Sequence, residues 1–169
     1  MILLAAGPAY DPAAWASFAV AEVGASAALA GLLVVATSIN ISRILELPLV
    51  VARLGGTLAM FTGILLVGTL LLVPGQSRIA AGVEIAAVGA VTTAFVYRLR
   101  GMAGVDPQFR HATIRSALVG VAASGCLVLA GVFSAVGIAG GLYWLVPAVG
   151  LGFVFGLGNS WVALVEILR

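Results

Sequence analysis

Two acids lie inside segments that otherwise ask for hydrocarbon. Glu22 sits in AVAEVGASAALAGLL (19–33) and Glu84 in RIAAGVEIAAVGAV (78–91). A carboxyl in such a place is either carried as the neutral acid, because desolvation disfavours its charged form, or it faces water in a pore or cavity. The first arrangement handles protons or fixes a neighbouring helix through a hydrogen bond. The second lines an ion pathway, and a ring of Glu in an oligomer selects cations. On a helix, Ser26, Leu29, Leu33, Thr37 and Asn40 share the face of Glu22, a stripe with polar ends and an apolar middle. The ion-pathway candidates are therefore Glu22, Glu84, Ser26, Thr37 and Asn40. The two acids fall at similar depth from the same side. Arg78, the nearest base, is six residues from Glu84 on a different face. Thr37, Ser38 and Asn40 also suit the end of a helix.

A second set lies towards the C-terminus. Asn159 is a polar residue within an apolar segment and shares a helix face with Glu166. Arg53 falls at similar depth on another helix and makes a candidate ion pair with Glu166.

Other chemistry is poorly served. The chain has one His, His111, in a loop and one Cys, Cys126, in mid-span with nothing nearby to activate it, so there is no metal-spaced His/Cys set and no triad. GLGFVFGLG (150–158) is glycine-rich but has no preceding strand and no Lys, and reads as helix packing rather than a nucleotide loop. The expectation is a protein that is not an enzyme and takes no metal or cofactor. The net charge of +2 rests on arginines in membrane loops, and nucleic-acid patterns are absent, so no nucleic-acid partner is expected.

The elements that position these residues follow from composition. The chain of 169 residues is 63% hydrophobic and 8% charged, too little charge to cover a soluble globule. Residues 54–77 and 116–165 carry no charge. A fifty-residue helix would be about 75 Å long against a hydrocarbon core of about 30 Å, so the second run must turn, and GIAGG (137–141) is where it does. Five spans are predicted, at 13–38, 49–73, 79–97, 114–136 and 142–167, in one transmembrane domain covering residues 1–169. Asp11-Pro12 and Pro48 mark helix starts, and Pro74-Gly75 closes span 2. Asp106-Pro107 is read as an early start to the fourth helix. MILLAAGPAYDP lacks a basic n-region and is read as mature protein.

With five spans, Arg43, Arg53, Arg98, Arg100, Arg110, Arg115 and Arg169 fall on one side and Arg78 on the other. By the positive-inside rule the N-terminus is outside and the C-terminus cytoplasmic. Tyr10, Trp15, Tyr97, Tyr143 and Trp144 fall near span ends, as interfacial aromatics do. The segment 98–116, with four arginines, is read as an orientation-setting loop, the alternative being contact with anionic lipid headgroups or a cytosolic partner. Arginine as the sole basic residue, with much Ala and Gly, points to a bacterial chain and hence to the bacterial cytoplasmic (inner) membrane.

Leu, Ile, Phe and Val each favour insertion by roughly 0.3–0.6 kcal/mol, and a central charge opposes it by roughly 2.5–3.5 kcal/mol. Span 2 has fourteen such residues, span 1 eight and span 3 seven. Spans 1 and 3, which carry the acids, are expected to pack against protein, and span 2 with much of span 5 to face lipid. Rows of small residues suit close helix packing: Gly55, Ala59 and Gly63; Gly82, Ala86, Ala90 and Ala94; Ala148, Gly152, Gly156 and Ser160.

The segments AYDPAAWASF (9–18), GLLVVATSINISRILELP (31–48), LLLVPGQS (70–77), GLYWLVPAVG (141–150) and NSWVALVEILR (159–169) resemble a family of small actinobacterial multi-pass membrane proteins of unestablished function. Some members are described as modulators of a membrane-bound AAA protease. The resemblance implies a regulatory, partner-binding role and assigns no site residue. The sequence thus leads to an all-α integral membrane bundle of five transmembrane helices, N-out and C-in, in contact with membrane lipids and assembled as a homo-oligomer. Its expected function is an ion or proton pathway through an intramembrane glutamate. The alternative is an accessory subunit that binds a larger membrane protein or protease.

Overall fold

The structure is a computed structural model that describes residues 7–102 and 110–167. The described chain is all helical, with α1 (Ala16–Ile39), the short α2 (Ile41–Leu45), α3 (Pro48–Leu71), α4 (Arg78–Met102), α5 (Arg110–Val136) and α6 (Leu145–Ile167). Five segments are long and apolar enough to cross a membrane: Pro12–Ile39, Pro48–Leu71, Arg78–Leu99, Thr113–Val136 and Gly141–Glu166. The expected start at Asp106-Pro107 and Arg169 lie outside the described residues. The basic segment 98–116 is largely helical rather than an open loop, because α4 runs into it to Met102 and α5 leaves it from Arg110.

Local chemistry sets the helix ends. The Asp11 side chain accepts from the backbone N–H of Ala13, and Pro12 follows at the first helical position, starting a 3-10 turn that runs into α1. Pro48 likewise stands at the first position of α3, there without a side-chain cap. At the end of α5 the N–H groups of Gly137 and Ile138 both donate to the Phe133 carbonyl. Gly137 and Gly140 then take φ values of 83° and 84°, left-handed backbone that reverses the chain into α6.

Helices α3, α4, α5 and α6 form a ring in which each packs on two neighbours, and α1 leans on α3 from outside. The facing residues run in opposite senses along each pair: Gly63 meets Thr92, Gly89 meets Val128, Gly120 meets Phe155 and Gly68 meets Val23. The ring is therefore an up-and-down four-helix bundle with a fifth helix alongside. One end carries the turns around Arg78 and Gly137. The other, the arginine-rich end, carries the end of α1 and the starts of α3 and α5.

Lipid is as apolar as Leu, so helices in it associate by close packing rather than by a hydrophobic force. The tightest packing is between α4 and α5. A Cβ on Gly131 would stand 2.3 Å from the Ala86 backbone nitrogen, and one on Gly82 2.7 Å from the Gly131 carbonyl oxygen. Of the row Gly82–Ala86–Ala90–Ala94, only the first part lies in this interface. Four residues overshoot a full turn by about 40°, so Ala90 and Ala94 swing out to exposed positions and Gly89 continues the seam. On α6 the row serves α3: Gly156 receives the Phe61 ring and Gly152 the end of Ile64.

This packing overturns the expectation that span 2 faces lipid. Of the apolar window of α3, 56% is buried, against 17% for the span containing α1. Hydropathy ranks how readily a helix inserts. Which helix becomes central depends on where its small residues let others approach, and α3 presents Gly55 and Gly63 to α4, Gly56 to α6 and Gly68 to α1. Trp15 is a second correction. It is buried rather than interfacial, with its indole N–H donating to the Pro8 carbonyl and its ring edge-on to Phe18 and Tyr143.

Gly131→Ala is expected to destabilise the protein by about 1–3 kcal/mol through overpacking. Gly125→Ala, where nothing lies within 4 Å of the new Cβ, is expected to be neutral or to stabilise by up to about 1 kcal/mol through helix propensity. Thermal unfolding in detergent distinguishes the two.

Candidate functional site

Glu22 reaches the bundle through a seam. A Cβ on Gly68 would stand 3.2 Å from the Ala19 carbonyl, so α1 lies close on α3 at this level. The Glu22 side chain borders a cavity of about 10 Å³ shared with Phe18, Ile64, Val67, Leu71, Leu127 and Val149. Every one of these is apolar. The carboxylate atom Oε2 is buried and has no hydrogen-bond partner. A space this small is at the lower limit for a water molecule and offers it no second polar partner.

The rest of the α1 face turns inward too. Ser26, one turn on, is fully buried with its hydroxyl unpartnered. Leu29, Leu33 and Thr37 then line a cavity of about 240 Å³ against Phe61 and Ala163. Thr37 donates to the Leu33 carbonyl, Ser38 to Val34 and Val35, and Asn40 to Ala36, so these polar groups are satisfied by their own helix. Glu84 goes elsewhere. The Gln76 amide donates to its Oε2 in the turn between α3 and α4, and it is not among the residues around Glu22. The two acids are not brought together, because α1 packs on α3 while α4 packs on α5 and α3.

The second set converges at the arginine-rich end. Arg53 Nη1 lies 3.5 Å from Glu166 Oε1, with side chains 12% and 27% exposed. Ser116 Oγ donates to Asn159 Oδ1 at 2.8 Å. These four residues line one cleft of about 490 Å³ between α5 and α6, with α3 at its base and Val119, Val154, Phe155 and Val162 among its walls. Asn159 is 5% exposed and its Nδ2 donor has no partner. The Ser116–Asn159 contact joins residues 43 positions apart. No local signal announces it, although a Ser and an Asn within two apolar spans mark the positions. Among the described residues no three His, Cys, Asp or Glu side chains gather into a group that could hold a metal ion.

The fold and its polar sites define an all-α protein with five helices built to cross a membrane. Comparison with protein families, with curated proteins and with solved structures finds no match to this chain. The functional reading therefore rests on the residues above.

The Arg53–Glu166 pair is expected to contribute about 1 kcal/mol of coupling. Arg53→Met, Glu166→Met and the double variant, unfolded thermally in detergent, measure it. The double variant is expected to lose less stability than the two single losses added together.

Proposed function

We propose that this protein is a proton pathway of the bacterial inner membrane, oriented N-out and C-in and assembled as a homo-oligomer, with Glu22 as the proton-binding carboxyl. The observation that carries this reading is the buried, unpartnered Oε2 of Glu22 among apolar side chains. An ionised carboxylate without a partner is costly in such surroundings, and binding a proton removes the charge. The same surroundings favour a proton over a metal cation. Calcium and magnesium need six or more oxygen ligands, and Glu22 alone supplies carboxylate oxygen here. The fully buried Ser26 hydroxyl, one turn along the same face, is a second polar group on the route. The supporting argument for orientation is the arginine count at the two ends of the bundle.

Proton flux into proteoliposomes, followed with an internal pH dye, tests the reading. Wild type is expected to conduct and Glu22→Gln to lose at least about tenfold, equivalent to about 1.4 kcal/mol at the limiting step. Equal flux in both, or none in wild type, sinks the proposal.

A second reading, the accessory subunit, is favoured by a different observation. α1 is the least buried helix, and its outward side exposes Ala21, Gly24, Ala25, Ala28 and Gly31. Among the described residues, nothing beyond α1's own backbone lies within 4 Å of a Cβ at Gly24 or Gly31. Small residues on a free face let another transmembrane helix approach closely. Mass measurement of the detergent-purified protein separates the readings. A homo-oligomer that Gly24→Leu dissociates supports the first. A monomer that co-purifies with one larger membrane complex, and loses it in Gly24→Leu, supports the second.

A further inference from the structure

We propose that the cleft between α5 and α6 holds the headgroup of a phospholipid that carries both a phosphate and a primary ammonium group. The inference is independent of the role of Glu22. It begins with the unsatisfied donor: Asn159 is 5% exposed, its Oδ1 is engaged by Ser116, and its Nδ2 faces no acceptor. A buried donor without an acceptor is destabilising, and such groups in proteins are ordinarily satisfied. An oxyanion entering the cleft satisfies it.

Arg53 lines the same cleft. Its contact to Glu166 is a single one, Nη1 to Oε1 at 3.5 Å. A guanidinium prefers a forked pair at about 2.7–2.9 Å. The loose pair leaves the rest of the fork for a phosphate oxygen. Glu166 in turn is an acceptor only and keeps its second oxygen for N–H donors. Cation and anion stand side by side, so the cleft has no net charge. A headgroup that is only anionic would meet the Glu166 carboxylate. A quaternary ammonium would bring no N–H to it. A phosphate joined to a primary ammonium matches both charges and the amide donor.

Position and shape agree with a lipid. The cleft, about 490 Å³, lies at the arginine-rich end of the bundle, and Val119, Val154, Val162 and Val165 give it apolar walls for the glycerol and acyl part. Trp161, also lining it, is 71% exposed, as suits a residue at the headgroup level.

The test uses the full chain, purified and delipidated in detergent. Phosphatidylethanolamine, phosphatidylcholine and phosphatidylglycerol with identical acyl chains are titrated separately and bound lipid is read by native mass spectrometry, with free phosphoethanolamine as a fourth arm. Phosphatidylethanolamine is expected to bind at least about fivefold more tightly than the other two lipids, about 1 kcal/mol by the affinity relation. Glu166→Gln is expected to erase its advantage over phosphatidylcholine, and Arg53→Gln to weaken both. Val162→Trp, which leaves every charge in place, is expected to expel the lipid by filling the cleft. Arg43→Gln, an exposed charge outside the cleft, is expected to change nothing. Equal binding of all three lipids, preference for phosphatidylglycerol, or retention unaffected by Val162→Trp in a variant of wild-type melting temperature overturns the proposal. Free phosphoethanolamine binding as tightly as the lipid overturns the lipid as the source.

Discussion

Backbone-to-backbone contact between α4 and α5 is the constraint on which the bundle depends. It exists because Gly82, Gly89 and Gly131 place no side chain between the two helices. In hydrocarbon that closeness is the main source of association, since lipid removes the ordinary gain from burying apolar surface. Once α4 and α5 are joined, α3 and α6 close the ring from the other side. The two phenylalanines that lock it, Phe61 against Gly156 and Phe155 against Gly120, again place a large ring where a neighbour has none. The ring leaves α1 packed chiefly on α3, with most of its surface free.

That arrangement makes the two polar sites different in kind. Glu22 enters at the seam where α1 meets the ring and finds only hydrocarbon. Its buried oxygen has no local partner, and the proton-pathway proposal rests on that. The cleft beneath Arg53 and Glu166 lies where three helix ends meet and carries both signs of charge with an open donor. The lipid-binding proposal rests on that combination. The sites lie at different levels of the bundle, Glu22 beside Gly68 and Leu145 and the cleft towards the arginine-rich end.

Much of this was legible before the fold was known. The Asp11-Pro12 and Pro48 starts and the glycine turn at 137–141 are local, and each span ends within a few residues of its expected place. Arg53 and Glu166 were paired by depth alone, which works because residues at one level of a bundle have few partners to choose from. Depth misled for Glu22 and Glu84, which share a level but sit on helices that do not pack together. Gln76, in a turn, supplied the partner for Glu84 that no helical pattern contained. Trp15 was misread because an aromatic at a helix start looks the same whether it meets lipid or the Pro8 carbonyl.

By itself the sequence determined how many membrane-length helices there are, where they end and how they alternate in direction. Those are properties of single segments, set by length, hydropathy and the backbone limits of Pro and Gly. Only the tertiary structure decided which face of each helix is inside. These helices are apolar nearly all round, so no contrast between faces exists to be read along the chain. The inward face is chosen by where a glycine on one helix meets a ring or a backbone on another. That choice put α3 at the centre, left α1 outermost and turned Glu22 into the seam.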